Sequence, residues 1–204
     1  MSALVKICGV TSREDATAAL AAGADIIGLN FYAPSPRSVP LGRALEIRDT
    51  VGGRARVAGV FVNAAREFVA THLAALRLDL LQFHGDEDPA ALEGWSVPVV
   101  RALRLKPGDD VSAMISGSRA DLVLLDTFHE SLYGGTGEAR PLGRLRGVDL
   151  SRALLSGGLN CDNVAEAAAL GPYAVDVASG VESAPGIKDH SKLRSFIRNA
   201  KSAR

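Results

Sequence analysis

Two residues in this chain have the makings of an acid–base pair, Cys8 and Asp126. Each closes a short apolar run, Lys6-Ile7-Cys8-Gly9 and Leu124-Leu125-Asp126-Thr127. A thiol acts as a base only through its thiolate. An unperturbed thiol, with a pKa near ~8.5, is only about 3% thiolate at neutral pH, so the role needs a lowered pKa or tolerance of that fraction. The competing reading is a small buried hydrophobe, the usual fate of a lone cysteine. Asp126 reads either as a helix or turn cap or as a general acid. As an acid it must carry a proton at neutral pH, which a desolvated setting favours. Cys161 sits just inside a helix start, with no acid or base pattern around it, and reads as structural.

Other residues are suited to holding anions. Ser156-Gly157-Gly158-Leu159-Asn160 and Ala178-Ser179-Gly180-Val181 are Gly-rich segments, each directly after an apolar run. Glycine lets backbone N–H groups approach an anion closely, and a helix start adds positive dipole. Either segment alone could be only a tight turn; together they point to phosphate. Arg37, in Tyr32-Ala33-Pro34-Ser35-Pro36-Arg37, is carried on a loop stiffened by two prolines. It could grip a carboxylate bidentately or remain a solvated loop charge. His84, in Gln82-Phe83-His84-Gly85-Asp86, either hydrogen-bonds a substrate or satisfies neighbouring backbone. Gly134-Gly135-Thr136-Gly137 lacks the lysine and spacing of a nucleotide P-loop and reads as a mobile lid. The histidines are not clustered as metal ligands are, so no metal site is expected.

These residues need a scaffold that brings them together. Eight apolar runs read as buried strands: Leu4–Cys8, Ile26–Phe31, Val57–Val62, Leu78–Phe83, Val97–Leu103, Leu122–Leu125, Ala153–Leu155 and Ala174–Val177. Continuous apolar character fits parallel strands covered on both faces. Between them lie amphipathic segments such as Arg13–Ala22, Ala64–Leu76 and Val164–Leu170, and Ser191–Asn199 is a last helix. Thr11 with Glu14 has capping-box spacing, Asn63 can cap the helix before Glu67, and Gly23 and Gly171 fall where helices should stop. The alternation fits an open doubly wound sheet or a closed barrel. Polar and Gly-rich signals follow nearly every strand, whereas an open sheet concentrates its ligand site at one switch point. The expected fold is therefore a single parallel (β/α)8 TIM barrel over residues 1–204. Its rim would collect Cys8, Asn30 to Arg37, Asn63, His84, Arg101, Asp126, Ser156 to Gly158, and Asp176 to Glu182. The segment Pro141–Val148 reads as irregular.

Composition narrows the partners. A chain of 204 residues is short for a barrel, which typically takes roughly 250, so its helices and loops must be brief. Zero net charge without a basic run argues against nucleic acid, and sparse aromatics argue against a base-stacking surface. No apolar run approaches a membrane span, and no signal peptide precedes the first strand. The expectation is a cytoplasmic protein, monomer or homodimer, acting on a small phosphorylated molecule.

In order along the chain, these motifs resemble the phosphoribosylanthranilate isomerase family, the Amadori isomerases of tryptophan biosynthesis. The resemblance rests on Lys6 to Thr11, Gly59-Val60-Phe61-Val62-Asn63, Leu81 to Gly85, Leu124 to Thr127, Gly134 to Gly137, Leu155 to Asn160, Val175 to Glu182 and Pro185-Gly186-Ile187-Lys188-Asp189-His190. It implies conversion of N-(5-phosphoribosyl)anthranilate to 1-(2-carboxyphenylamino)-1-deoxyribulose 5-phosphate, without a cofactor. It also implies Cys8 as general base and Asp126 as general acid. Arg37 would hold the anthranilate carboxylate, Gly157, Gly158, Ser179 and Gly180 the phosphate, and Asp176 would face the aminobenzoate end. His84 and Gly135 join the substrate-binding set. The chain departs from the family where Glu138-Ala139-Arg140-Pro141-Leu142 follows the lid and where Ser38 and Ala178 stand. Two other readings remain. One is the histidine-pathway Amadori enzyme, which has an aspartate at the position of Cys8. The other is a non-catalytic phosphate-binding barrel. A redox role for Cys8 is weaker, for want of a resolving cysteine nearby in sequence.

Overall fold

The computed structural model describes residues 3–126 and 141–203. Its strands are β1 (Leu4–Cys8), β2 (Ile26–Asn30), β3 (Arg56–Phe61), β4 (Leu80–Phe83), β5 (Val99–Arg104), β6 (Leu122–Asp126), β7 (Ala153–Ser156) and β8 (Ala174–Val177). All pair in parallel, in sequence order, and β8 pairs with β1 to close the barrel. Helices α1 (Arg13–Ala22), α2 (Leu41–Val51), α3 (Arg66–Leu76), α4 (Val111–Gly117), α5 (Val164–Ala169) and α6 (His190–Ser202) accompany them. Before β5 there is only a 3-10 turn, Pro89–Leu92, and another, Pro141–Leu145, precedes β7. The 3-10 turn in place of a helix before β5 shortens the chain needed to close the barrel. A small hairpin, β9 (Glu182–Ala184) and β10 (Ile187–Lys188), follows β8.

Side chains alternate across a strand, so each strand has an inward and an outward set. Ile26, Ala58, Leu80, Val100, Leu122, Leu124, Leu154 and Ala174 form a buried cluster inside the barrel. The outward set, including Val5, Ile7, Ile27, Leu29, Val123, Leu125, Leu155 and Val175, joins the helices in the larger core. Every inward strand position in that inner cluster carries an even number. The same parity brings Cys8, Asn30, His84, Arg104, Asp126, Ser156 and Asp176 to one cavity at the strand C-terminal ends. At the other end, Asp25, Asp79 and Asp121 accept the N–H of Val5, Val57 and Val99 respectively, each at 2.8 Å. Each carboxylate ties the start of one strand to its neighbour.

Several local expectations are revised. Ser12, not Thr11, caps α1, accepting the N–H of Asp15 at 3.1 Å. Thr11 instead donates to the Gly186 carbonyl, fastening the hairpin over the end of β1. Asn63 does not cap α3, whose N-cap is Ala65. It takes a left-handed backbone, φ 49°, and its Oδ1 accepts from Asp86 N at 2.9 Å, tying together the loops after β3 and β4. Gly23 does end α1 in the left-handed region. The last helix is longer than expected. Asp189 caps it, and Leu193, Phe196, Ile197 and Ala200 form the stripe it buries. That helix packs on α1 and α5 and so joins the two ends of the chain around the barrel. Arg101 is not on the rim. The fifth strand runs to Arg104, and Arg101 lies within it on the outward parity, paired with Phe83 and Val123. Arg104 is the inward arginine. Among the described residues, no helix is long and apolar enough to cross a membrane.

Candidate active site

A cavity of about 600 Å³ opens at the C-terminal ends of the strands. Cys8, Arg37, His84, Asp126, Gly157, Gly158, Asp176, Ser179 and Gly180 all line it, so the structure gathers every expected site residue it describes. Gly135 and the expected lid at 134–137 lie outside the described residues. β1 has β8 on one side and β2 on the other. Cys8 therefore stands between the glycine segments after β7 and β8 and the arginine loop after β2. Asp126, on β6, stands three strands away around the ring.

The two Gly-rich segments touch. Gly157 and Gly158 both take positive φ, 82° and 66°, so their backbone turns as other residues rarely do. At Gly180 a β-carbon would land on the Leu159 carbonyl oxygen, so glycine is required for the second segment to reach the first. Asn163 donates to the Gly158 carbonyl at 3.0 Å and accepts from Asn160 N at 2.9 Å, which fixes the first segment against α5.

Arg37 is held by more than its prolines. Ser35 Oγ accepts from Arg37 N and from Asn30 Nδ2, both at 3.2 Å, which ties the loop to the end of β2. The guanidinium meets a carboxylate of the protein itself. Its Nε donates to Glu182 Oε1 at 2.8 Å and its Nη2 to Oε2 at 2.7 Å. This fork uses one edge of the guanidinium and leaves the Nη1 end available. Buried Lys188 donates to Glu182 Oε1 at 2.9 Å, to the Cys8 carbonyl at 2.7 Å and to the Ala178 carbonyl at 3.1 Å. One ammonium thus ties the arginine clamp, the end of β1 and the segment after β8. Burial disfavours charge on Glu182, yet hydrogen bonds from Arg37 and Lys188 hold its carboxyl below its ordinary range. Burial pushes the Lys188 ammonium below its ordinary value despite that partner.

Beneath the rim lies a second buried pair. Lys6 donates to Asp176 Oδ1 at 2.7 Å, and Ser156 donates to Asp176 Oδ2 at 2.9 Å. Asp176 lines the cavity with both oxygens engaged by the protein. Burial pushes the Cys8 thiol above its ordinary value. The Lys6 ammonium pulls it back most strongly, Asp176 pushes it up and Lys188 pulls it down. Burial pushes His84 below its ordinary value, and Lys6 acts in the same direction, which favours the neutral ring. Gln82 Nε2 lies 3.0 Å from His84 Nδ1. With the amide nitrogen donating, Nδ1 accepts and the ring proton sits on Nε2. Cys161 is remote from the cavity, its thiol donating to the Lys192 carbonyl at 3.2 Å on the outer layer. Among the described residues, no three His, Cys, Asp or Glu side chains group as metal ligands.

Sequence reasoning missed Lys6, Arg104, Glu182 as a partner of Arg37, and Lys188. Strand parity could have found the first two. Glu182 and Lys188 give no local signal, since each acquires its role from residues far along the chain.

Fold and cavity together define the class, a (β/α)8 barrel with a cavity at the strand C-terminal ends, the face where enzymes of this fold carry their active sites. The family model for N-(5'-phosphoribosyl)anthranilate (PRA) isomerase matches residues 5–199. An N-(5'-phosphoribosyl)anthranilate isomerase of Pseudomonas fluorescens strain Pf0-1 is 49% identical over 194 residues, covering 94% of this chain and 95% of its own. The crystal structure of phosphoribosyl anthranilate isomerase from Thermotoga maritima superposes with a TM-score of 0.86 at 34% identity, covering 98% of both chains. A phosphoribosyl anthranilate isomerase complexed with reduced 1-(o-carboxyphenylamino)-1-deoxyribulose 5-phosphate gives 0.81, also at 34% identity and 98% of both. The chain belongs to the N-(5'-phosphoribosyl)anthranilate isomerase family.

Proposed function

We propose that this chain converts N-(5-phosphoribosyl)anthranilate to 1-(2-carboxyphenylamino)-1-deoxyribulose 5-phosphate in tryptophan biosynthesis, with Cys8 as base and Asp126 as acid. The observation that carries the reading is the position of Cys8 between the Gly-rich segments after β7 and β8 and the Arg37 loop, with Asp126 across the same cavity. The substrate has a phosphate at one end and a carboxylate at the other. The N–H groups around Gly157, Gly158, Ser179 and Gly180 would receive the phosphate. The Nη1 end of Arg37 would receive the carboxylate. Gripping both ends brings the sugar carbons to Cys8 and converts the chemistry into a positioned, unimolecular event.

Asp126 donates a proton to the furanose ring oxygen as the C1–O bond breaks, and the nitrogen lone pair forms the C1=N bond of a protonated imine. The Cys8 thiolate then removes the proton at C2. Those electrons form the C1=C2 bond of an enolamine, and the C=N electrons return to nitrogen. Tautomerisation moves a proton from the C2 hydroxyl to C1 and leaves the ketone. Two protons enter, at the ring oxygen and C1, and two leave, from C2 and its hydroxyl. The reaction balances with no external oxidant, reductant or metal. A neutral His84 with its proton on Nε2 would donate a hydrogen bond to a sugar oxygen.

The test is turnover of purified parent, Cys8→Ala and Asp126→Asn, followed by the loss of anthranilate fluorescence. Each variant should lose at least about 10²-fold in kcat while still binding a reduced product analogue, since a positioned acid or base commonly contributes 10²–10⁴-fold. Substantial turnover by Cys8→Ala would remove the thiol from the role of base.

A further inference from the structure

Lys6 is a fully buried charged group in the barrel interior that the chemistry above leaves unused. Its side chain is 1% exposed, so its ammonium is shielded from bulk solvent. An ammonium has three N–H donors and no acceptor. Among the described residues, one is engaged by Asp176. Lys6 and Cys8 are two positions apart on β1, so their side chains share the inward face. Both lie against β2 at Gly28, where a β-carbon would sit 3.0 Å from Cys8 Sγ and 3.3 Å from Lys6 Cε. Glycine at 28 therefore leaves room for the two side chains to lie together. Lys188, the other buried cation near the thiol, has all three donors committed to Glu182 and to the Cys8 and Ala178 carbonyls. Lys6 alone of the two retains donors for sulfur.

We infer that Lys6 is a positioning residue that holds the Cys8 thiolate, with Asp176 restraining how much of the ammonium the sulfur receives. This rests on Cys8 being the base. An ammonium beside the sulfur favours S⁻, and a carboxylate on its far side opposes it. Charges facing the thiol come from four elements: Lys6 on its own strand, Asp176 on β8, Lys188 on β10 and Arg37 on the loop after β2. Each group favours the charged form of the other: the thiolate raises the Lys6 ammonium pKa, and the ammonium lowers that of the thiol. The arrangement predicts opposite effects from the two partners. Losing Lys6 raises the thiol pKa; losing the Asp176 charge lowers it.

The experiment measures the pH dependence of Cys8 alkylation by iodoacetamide in a Cys161→Ser background, with the modified residue identified by mass spectrometry. The acid limb of kcat/KM is recorded alongside. Lys6→Met should move the alkylation midpoint upward by about one unit or more, as expected for loss of a nearby opposite charge. The acid limb should follow, lowering kcat/KM at pH 7 about tenfold or more. Asp176→Asn should move the midpoint downward. Should Lys6→Met leave Asp176 unpaired and fail to fold, Lys6→Met/Asp176→Asn removes both charges together. Its midpoint should still rise, because the ammonium outweighs the carboxylate at the sulfur. A folded Lys6→Met or double variant with the parent's midpoint overturns the inference, as does an upward shift in Asp176→Asn. Alkylation needs no turnover, so it still reports on Lys6 if Cys8→Ala shows that the thiol is not the base.

Discussion

Glu182→Gln is the most informative single change, because it alters the holder of Arg37 and no residue proposed to touch substrate. In the parent, Glu182 accepts three charge-assisted hydrogen bonds, from Arg37 at 2.8 and 2.7 Å and from Lys188 at 2.9 Å. The neutral amide keeps the shape but has one acceptor oxygen, and its NH2 must face either Arg37 or Lys188, both donors only. Breaking a buried pair by removing one partner costs about 3–5 kcal/mol. Here Arg37 is 23% exposed and the amide keeps some hydrogen bonding, so about 2–3 kcal/mol is expected. In a domain of this size that lowers Tm by roughly 5–10 °C. Freed from its fork, the Arg37 side chain must be ordered again on binding, at about 0.5–1.5 kcal/mol. KM should therefore rise about 2- to 12-fold, with kcat changed less than about threefold. Arg37→Ala, which removes the clamp itself, should raise KM about 10- to 150-fold, the worth of a hydrogen bond to a charged group.

Initial rates by anthranilate fluorescence give the split between kcat and KM, and far-UV circular dichroism gives Tm. There is also a pH signature. The folded Glu182 carboxyl titrates below its ordinary range. Its stabilisation is therefore complete above that range and is lost as pH falls through the depressed value. Over that window the parent should lose more stability than Glu182→Gln. A folded Glu182→Gln with the parent's KM would refute the idea that Glu182 aims the arginine.

Two further changes separate site from scaffold. Gly180→Ala drives a β-carbon into the Leu159 carbonyl and should part the two glycine segments, weakening competitive inhibition by inorganic phosphate at least about tenfold, while Tm falls by a few degrees. Phe61→Ala empties a fully buried site among Phe31, Phe68, Phe83 and His72, at a cost of about 3–5 kcal/mol. The folded fraction should retain the parent's KM, and a changed KM would mean that the core and the site are not separable there.

The strands were legible because each is a short, nearly continuous apolar run, and the closed order followed from the polar residues after them. Cys8 and Asp126 were legible as strand ends. Their proposed roles were not, because a lone thiol after Ile7 reads more readily as core. Strand parity separates the two arginines of β5: Val100 and Ala102 face the barrel interior, so Arg104 faces the cavity and Arg101, expected at the rim, faces outward. The cap of α1 was misread because Thr11–Glu14 and Ser12–Asp15 have the same spacing, and only the backbone shows which hydroxyl meets an N–H. Glu182 and Lys188 carried no legible role. Glu182 meets Arg37 across 145 positions and Lys188 meets the Cys8 carbonyl across 180, distances at which local pattern says nothing.

One rule of strand geometry connects these observations. The inward parity that packs the lower barrel with Ile26, Leu80, Leu124 and Leu154 continues upward into Lys6, Gln82 and Asp176, and then into Cys8, His84 and Asp126. The interior passes from apolar side chains, to buried polar and charged groups, to the reactive rim. Two residues along a strand advance roughly 6.6 Å, so a charge on one level acts directly on the next. Charge at the level of Lys6 and Asp176 is costly to bury, and an apolar pair of the same volume would pack there at no loss of stability, or with a gain. That cost is understandable if the level exists for the sulfur above it. If so, replacing both charges should leave Tm unchanged or raised while catalysis at neutral pH declines, a pairing of effects that a purely structural ion pair would not produce.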